Sequence, residues 1–236
     1  MATLCNRLTK KLYLIGDSNT EKASFNNGFA AKLTEEYSRR LDVVNRGFSG
    51  YTTQHIRIMI PKLLKNDNPL IGCIHTAIIL LSTNDSVDPE LDKRAVDVNK
   101  SKENLEFIIK NLRDNGVLNI ILLTPPPIDG EKWHDFMMET QNRPGSFSNK
   151  RVLNYVKMCR ELAIEQQIHI IDLYDCIIKL ENWKQYFYDG LHFSQSGNLL
   201  VFYKLKEVLD VLLADVVPAY PDWKDIDLNN PDISLG

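Results

Sequence analysis

The sequence predicts an α/β fold in which a parallel β-sheet is covered by helices on both faces. Short apolar runs alternate with amphipathic segments along the 236 residues, which is the pattern of successive strand–helix units. Residues 74–81 form an almost continuous apolar run, as expected of a strand buried on both faces of a parallel sheet. Phe29, Leu33, Tyr37 and Leu41 recur at a spacing of four residues, which indicates a helix with one apolar face.

The first half of the chain predicts three strands and two helices. Each strand is a short run rich in branched aliphatic residues, and each helix carries apolar residues three or four positions apart. In chain order they are a strand at 11–15, the helix that contains Phe29, a strand at 42–48, a helix at 53–64 and a strand at 74–81.

The second half predicts two further strands and three helices. They are a helix marked by Leu105, Ile108, Ile109 and Leu112, a strand at 118–123, a helix marked by Val152, Tyr155, Val156, Cys159 and Leu162, a strand at 168–173 and a helix at 199–213. Asn115-Gly116 is a typical end for the first of these helices. The three prolines at 125–127 stop the fourth strand, so the predicted sheet has five strands.

Two segments show no clear periodicity. Residues 125–148 form a long connection that contains Trp133, Phe136, Met137 and Met138. These side chains are interpreted either as an anchor that packs a long loop onto the core, or as a wall of an acyl pocket or a subunit contact. Residues 215–236, rich in Pro, Asp and Asn, are expected to lie over the surface as a tail.

Composition and charge exclude several classes of function. Hydrophobic residues make up 44% of the chain and charged residues 25%, and the formal net charge is -3. Nucleic-acid binding is not expected, because it needs a basic surface. No apolar run approaches the roughly 20 residues of a membrane span, and residues 1–11 carry no apolar signal segment. The cysteines (Cys5, Cys73, Cys159 and Cys176) lie far apart, so we expect reduced thiols and a cytoplasmic protein.

Polar residues follow the predicted strands at the edge of the sheet where ligands bind in open parallel sheets. They occupy residues 16–19 after the first strand, 45–52 at the second and 82–85 after the third, and a fourth group lies at 189–192. Because the carboxyl ends of parallel strands share one edge, the topology is expected to bring all four groups together.

These groups contain the residue types that acyl transfer requires. A serine hydroxyl such as that of Ser18 needs an adjacent base, and His192 is the natural candidate. Asp189, three residues earlier, can hold the far nitrogen of the imidazole. The negative oxygen of a tetrahedral intermediate needs fixed donors, which the backbone N–H groups of Ser18 and Gly50 and the side-chain amide of Asn84 are expected to supply.

At this point the sequence resembles the SGNH, or GDSL, hydrolase family. Residues 16–18 (Gly-Asp-Ser) match its first block, 45–50 its second, Asn84-Asp85 its third and Asp189-x-x-His192 its last. The order and the separations also fit, and the resemblance covers residues 11–213. Residues 19–21, 46–52, 189–194 and 223–225 look most similar to isoamyl acetate-hydrolysing esterases.

The resemblance implies a three-layer α/β/α, flavodoxin-like fold in one domain over 1–236, with a core at about 11–213 and a tail at 215–236. It implies a serine esterase that acts on short-chain, acetate-type esters, with Ser18, Asp189 and His192 as the catalytic residues and no metal. A homodimer is plausible from the related esterases. No phosphate-binding glycine motif occurs, so no cofactor is expected.

One residue departs from the family pattern. The third block is normally Gly-x-Asn-Asp, but Ser82 replaces the glycine. Either the added Cβ crowds the strand end and tilts Asn84, or the Ser82 hydroxyl bonds locally and holds the loop without loss. Under the first alternative, the chain could be a catalytically weak scaffold protein derived from this fold. Among enzymes, a thioesterase, a carbohydrate O-deacetylase and an acyltransferase using the same residues also remain alternatives.

Four other residues receive structural interpretations. Asp17 either caps the first helix or bonds within the site, with neither role favoured. Asp85 is expected to stabilise the third loop. His75 and His169 fall at strand starts, on the edge opposite the site, and are expected to be structural.

Overall fold

The computed structural model describes residues 9–68 and 71–235 and contains one five-stranded sheet. Residues 1–8 lie outside the described residues; they include Cys5 and most of the segment 1–11, in which the sequence shows no apolar signal segment. The strands are β1 (Lys10–Gly16), β2 (Leu41–Gly47), β3 (Ile74–Leu80), β4 (Asn119–Leu123) and β5 (His169–Ile171). All neighbouring strands are parallel, in the order β2-β1-β3-β4-β5. The prediction of a flavodoxin-like, five-stranded parallel sheet is therefore confirmed.

The helices follow the strands in the order that the sequence predicts, with four additions. They are α1 (Ser18–Lys22), α2 (Phe29–Glu36), α3 (Thr53–Asp67), α4 (Val98–Asp114), α5 (Gly130–Gln141), α6 (Asn149–Gln166), α7 (Leu173–Ile178), α8 (Gln195–Leu212) and α9 (Pro231–Leu235). Short 3-10 turns lie at Asn84–Ser86, Trp183–Tyr186 and Trp223–Asp225. The additions are α1, α5, α7 and α9.

Helices pack on both faces of the sheet. Side chains alternate between these two faces along each strand. On β1, Leu12 and Leu14 pack in the cluster that includes α2 and α8, whereas Tyr13 and Ile15 pack against α3 and α4. All four side chains are fully buried. This two-sided burial explains why the inner strands β1, β3 and β4 appear in the sequence as apolar runs rather than as alternating patterns.

The strand ends are level at the edge that carries the site. Gly16 at the end of β1 lies in register with Gly47 of β2 and with Leu80 of β3. Leu80 in turn pairs with Leu123 of β4. The chain segments that leave these strands therefore start from one line along the sheet.

The structure corrects the interpretation of residues 125–148 as a segment without regular structure. Twelve of these residues form α5. The helix begins after Asp129, whose side chain accepts a hydrogen bond from the Lys132 N–H at 3.4 Å. Its core face is narrow, because only Trp133 and Met137, one turn apart, are buried. This single i, i+4 repeat is the signal that could have predicted the helix.

The predicted bounds of the last strand and the last helix also need correction. β5 has three residues and ends at Ile171, because the carboxylate of the next residue, Asp172, accepts a hydrogen bond from the Asp175 N–H (3.0 Å) and so starts α7. The final helix begins four residues before the predicted start, at Gln195. The Ser194 hydroxyl caps it by accepting from the Gly197 N–H at 3.2 Å.

The tail follows α8 across the surface beside two arginines. The Arg40 Nε–H donates to the Val216 carbonyl at 2.8 Å, and the Arg39 Nη1–H donates to Asp222 at 3.0 Å. Among the helices in the described part of the chain, none is long and apolar enough to cross a membrane.

Candidate active site

Ser18 lies directly beyond β1, at the first position of α1. The carboxylate of Asp17 accepts a hydrogen bond from the Asn19 N–H at 3.0 Å and caps this five-residue helix. Of the two roles considered for Asp17, the structure shows the cap. Burial, together with the nearby charge of Asp85, raises the pKa of the Asp17 carboxyl to about 7, although the hydrogen bond from the Asn19 N–H opposes this shift. Ser18 itself is 8% exposed, and its side chain lines a surface cavity.

His192 and Asp189 lie in one tight turn between Phe187 and α8. The Asp189 Oδ2 lies 2.5 Å from the His192 Nδ1. The other carboxylate oxygen accepts from the backbone N–H groups of Leu191 (2.9 Å) and His192 (2.8 Å). Gly190 has a φ of +92°, a conformation that favours glycine. Hydrogen bonds within the four residues 189–192 thus fix the orientation of the His192 imidazole.

The imidazole of His192 also contacts Ser18 at the start of α1. Its Nε2 lies 2.9 Å from the Ser18 Oγ, although the two residues are 174 positions apart. Burial alone would raise the pKa of Asp189, but the hydrogen bonds and charge from His192, with the Leu191 N–H, lower it below its ordinary value. Asp189 is therefore ionised at neutral pH and is placed to stabilise a positive charge on the imidazole.

Aromatic rings enclose the imidazole on two sides. The Tyr188 ring stacks on His192 at a centroid distance of 5.7 Å, and the Trp133 ring meets it edge-on at 5.9 Å. Trp133 belongs to α5, and the start of that helix is bonded to the His192 turn, because the Asp129 N–H donates to the Gly190 carbonyl at 2.9 Å. The segment 125–148 thus both packs on the core and forms part of the site.

Gly50 and Asn84 reach the same cavity from the ends of β2 and β3. Gly50 has a φ of +78°, and the loop that carries it is fastened where the Thr52 N–H donates to the His55 Nδ1 at 3.0 Å. The Asn84 Nδ2 donates to the carbonyl of Tyr51 at 2.9 Å, so the two loops are joined.

A further side chain, Arg94, completes this part of the site, and sequence reasoning missed it. Its Nη1 donates to the Asn84 Oδ1 at 3.1 Å. The Asp92 carboxylate accepts from the Arg94 Nε at 3.0 and 3.1 Å and from its Nη2 at 2.5 Å. Hydrogen bonds from Arg94 lower the pKa of Asp92, which keeps this ion pair charged. No family block contains these residues, and a lone Asp-x-Arg in a loop carries no signal of its own.

Ser82 adopts the backbone conformation that explains the glycine of the family pattern. Its φ is +74°, a value that L-residues with a side chain seldom adopt. The side chain is buried, and its hydroxyl lies 3.1 Å from the Ser101 hydroxyl of α4. Of the two alternatives for Ser82, this geometry favours a hydroxyl that bonds locally.

Asp85 fastens the third loop from beneath. Its carboxylate accepts from the Thr53 N–H at 3.1 Å and from the Thr53 hydroxyl. Burial raises the pKa of Asp85. His75 and His169 lie at or beside the amino-terminal ends of β3 and β5, far along the strands from this edge.

The cavity above Ser18 is small, at about 230 Å³, below the ~300–1,000 Å³ that is usual for pockets of drug-sized ligands. Its lining is partly apolar and partly cationic. The lining includes the apolar side chains of Trp133, Met137, Phe147 and Leu191 and the cations Lys22, Arg94 and Arg143. Ser18, Gly50, Asn84 and His192 all line it as well, so the structure brings the predicted groups to one space.

The fold is a parallel sheet with helices on both faces, and Ser18, His192 and Asp189 are in contact at the carboxyl edge of its strands. This is an architecture found in ester hydrolases. The chain belongs to the GDSL-like lipase/acylhydrolase family, whose model matches residues 14–200. It is a carboxylic ester hydrolase by this relationship, and the resemblance in the sequence is confirmed.

Curated relatives match nearly the whole chain. An isoamyl acetate-hydrolyzing esterase 1 homolog of Rattus norvegicus is 29% identical, covering 97% of this chain and 92% of the relative. A GDSL esterase/lipase of Arabidopsis thaliana is 30% identical, covering 95% and 97%. The isoamyl acetate-hydrolyzing esterase of Saccharomyces cerevisiae is 26% identical, covering 92% and 95%.

A solved structure shares the fold. The lipase/acylhydrolase from Enterococcus faecalis superposes with a TM-score of 0.67 at 23% identity, covering 89% of this chain and 98% of the other. The acetyl xylan esterase AlAXEase also gives 0.67, at 18% identity, covering 84% and 99%.

Proposed function

We propose that this protein hydrolyses short-chain, acetate-type carboxylic esters through an acyl-enzyme intermediate. The observation that carries the proposal is the continuous contact from Ser18 through His192 to Asp189, at 2.9 and 2.5 Å. Both distances lie within or close to the range in which a base activates a serine hydroxyl. We also propose that residues 1–236 act as one hydrolase domain, since segments from both ends of the fold meet at one site, where His192 contacts Ser18.

In the first half of the reaction, the Ser18 Oγ attacks the ester carbonyl carbon while the His192 Nε2 takes the hydroxyl proton. The carbonyl oxygen becomes negative as the tetrahedral intermediate forms. The N–H groups of Ser18 and Gly50 and the amide of Asn84 hold this oxygen. Collapse of the intermediate breaks the bond to the alcohol oxygen, which receives the proton from His192, and leaves the acyl group on Ser18.

In the second half, a water molecule repeats these steps on the acyl-enzyme. His192 takes a proton from the water, the resulting oxygen attacks the acyl carbon, and the second tetrahedral intermediate uses the same donors. Its collapse returns the proton to the Ser18 Oγ and releases the carboxylic acid. Asp189 stays ionised throughout and stabilises the imidazolium of His192.

Two observations support a short acyl group. The cavity is small, at about 230 Å³, and the bulky side chains of Trp133 and Phe147 form part of its wall. In addition, several relatives are named for isoamyl acetate. A homodimer, a cytoplasmic location and the lack of nucleic-acid binding stay predictions.

The function is tested with a fluorophosphonate probe and a panel of esters. The probe is expected to label the parent and not Ser18→Ala, whereas Ser38→Ala, which changes an exposed serine, should label like the parent. Phenyl acetate should give a higher kcat/KM than phenyl butyrate or phenyl octanoate. Folded parent protein that neither labels nor turns over any ester would contradict the proposal and favour the scaffold alternative.

The same panel separates the other acyl-transfer functions. It includes an acetyl thioester, an acetylated xylooligosaccharide and phenyl acetate with an added alcohol acceptor. A much higher kcat/KM on the thioester or the sugar, or transfer to the alcohol in preference to water, would replace the proposed substrate class by the corresponding alternative.

A further inference from the structure

The amide of Asn84 can face the oxyanion position in two ways, and only one of them is productive. An N–H turned toward the negative oxygen stabilises it, whereas the amide oxygen would repel it. The two orientations differ by a rotation of half a turn about the last side-chain bond and have nearly the same shape. The contribution of Asn84 to catalysis therefore depends on whatever fixes this rotation.

The neighbours of Asn84 settle the rotation by their chemistry. The guanidinium of Arg94 can only donate hydrogen bonds, and the carbonyl of Tyr51 can only accept them. The Asn84 Oδ1 faces the Arg94 Nη1 at 3.1 Å, and its Nδ2 faces the Tyr51 carbonyl at 2.9 Å. A rotated amide would place donor against donor and acceptor against acceptor. One N–H of the Nδ2 group is left for the substrate.

Arg94 is itself held rigidly enough to do this. The Asp92 carboxylate takes its Nε and Nη2 side-on, which leaves Nη1 directed at Asn84. The Asp92 side chain is 8% exposed, so the carboxylate of this ion pair is largely shielded from solvent. Arg94 also lies beside the second donor, because a Cβ on Gly50 would come within 3.4 Å of its Nη1.

We propose that Arg94 is a positioning residue, which holds the Asn84 amide with its N–H toward the oxyanion. The positive charge on the accepting side of the amide also polarises it and makes the remaining N–H a stronger donor. The proposal rests on the proposed function for its catalytic consequence, but the contact between the two side chains can be tested independently.

The kinetic test is a double-mutant cycle. Arg94→Ala should lower kcat on phenyl acetate by about 10- to 100-fold, with KM little changed, because a displaced catalytic group costs up to about that much. In an Asn84→Ala background the same change should cost less than about threefold, since the residue it positions is gone. Arg94→Lys should recover part of the loss, and Arg113→Ala, a surface arginine on α4, should behave like the parent.

The independent test observes the amide itself. In protein labelled with ¹⁵N-asparagine, the Asn84 side-chain signal is identified by its loss in Asn84→Ala. Arg94→Ala should shift or broaden that signal, and Arg113→Ala should leave it unchanged. An Asn84 signal unaffected by Arg94→Ala overturns the proposal, and so does an equal loss of kcat in both backgrounds. If Arg94→Ala shifts the Asn84 signal but the parent protein has no esterase activity, the proposed function is refuted and the contact between Arg94 and Asn84 is still supported.

Discussion

The two sides of the active site are built in different ways. The nucleophile side, named for the proposed roles of Ser18, Asp189 and His192, depends on a four-residue turn whose backbone N–H groups hold the Asp189 carboxylate. The oxyanion side, named for the proposed roles of Gly50, Asn84 and Arg94, joins the loop after β2 to the connection between β3 and α4 by hydrogen bonds. The spacing of Asp189 and His192 is thus itself the unit that holds them together, whereas the oxyanion side depends on a contact from Arg94, which no family block names.

The largest effect should come from breaking the nucleophile side at its carboxylate. Asp189→Asn still accepts from the turn N–H groups, but its NH₂ faces the His192 Nδ1 and favours the wrong tautomer. We expect kcat on phenyl acetate to fall by about 1,000- to 10,000-fold, with an unchanged circular dichroism spectrum. A loss below about tenfold would show that the imidazole does not depend on this carboxylate.

The next largest effect should come from the oxyanion side. Asn84→Ala removes one of three proposed donors and should lower kcat by about 100- to 1,000-fold, or about 3–4 kcal/mol of transition-state stabilisation. KM should change much less, because the oxygen is negative only after attack. Steady-state kinetics on phenyl acetate measures both constants. An Asn84→Ala variant as fast as the parent would remove this residue from the mechanism.

A smaller effect concerns Asp17, which lies beneath the nucleophile side. Because burial raises its pKa from 3.8 to about 7, the folded state binds more protons than the unfolded state between these values. The free energy of unfolding should therefore fall as the pH rises through this window. Asn at this position keeps the cap and carries no charge. Asp17→Asn should thus be more stable than the parent at about pH 8 by at least about 1.4 kcal/mol, the equivalent of one pKa unit.

Urea unfolding at about pH 5 and about pH 8 measures this difference. At the lower pH the parent and Asp17→Asn should be closer in stability, since Asp17 is largely protonated in the folded protein there. If the difference in free energy of unfolding between Asp17→Asn and the parent is the same at both pH values, Asp17 does not have the raised pKa.

The smallest effect concerns Ser82, which lies beneath the oxyanion side. Ser82→Gly relieves a strained φ, worth about 1–3 kcal/mol, but removes the hydrogen bond to Ser101, worth about 0.5–1.5 kcal/mol, and gives the unfolded chain more freedom. We expect the free energy of unfolding to change by less than about 1 kcal/mol and kcat to stay within about threefold. A large gain in kcat would restore the alternative in which Ser82 crowds Asn84.

The difference between the two sides also explains how much the sequence could predict. Asp189 and His192 are recognisable because their spacing is itself the structural unit, and Ser18 because it directly follows a buried strand. Arg94 is not, because its role depends on a distance to Asn84 that the fold sets and the spacing does not. β1, β3 and β4 were predictable from the apolar runs that two-sided burial produces, whereas α5 offered only the single apolar repeat of Trp133 and Met137 as a signal.

The link between α5 and the turn that carries the base restricts how this enzyme can be redesigned. Trp133 borders the cavity and also contacts the His192 ring, and the Asp129 N–H at the start of α5 bonds to the turn at Gly190. Shortening or replacing this helix to admit longer acyl chains would therefore displace His192, the proposed proton acceptor, as well as the wall of the cavity. Met137, one turn further along and still lining the cavity, is the position where chain-length preference can be altered while the chemistry is retained.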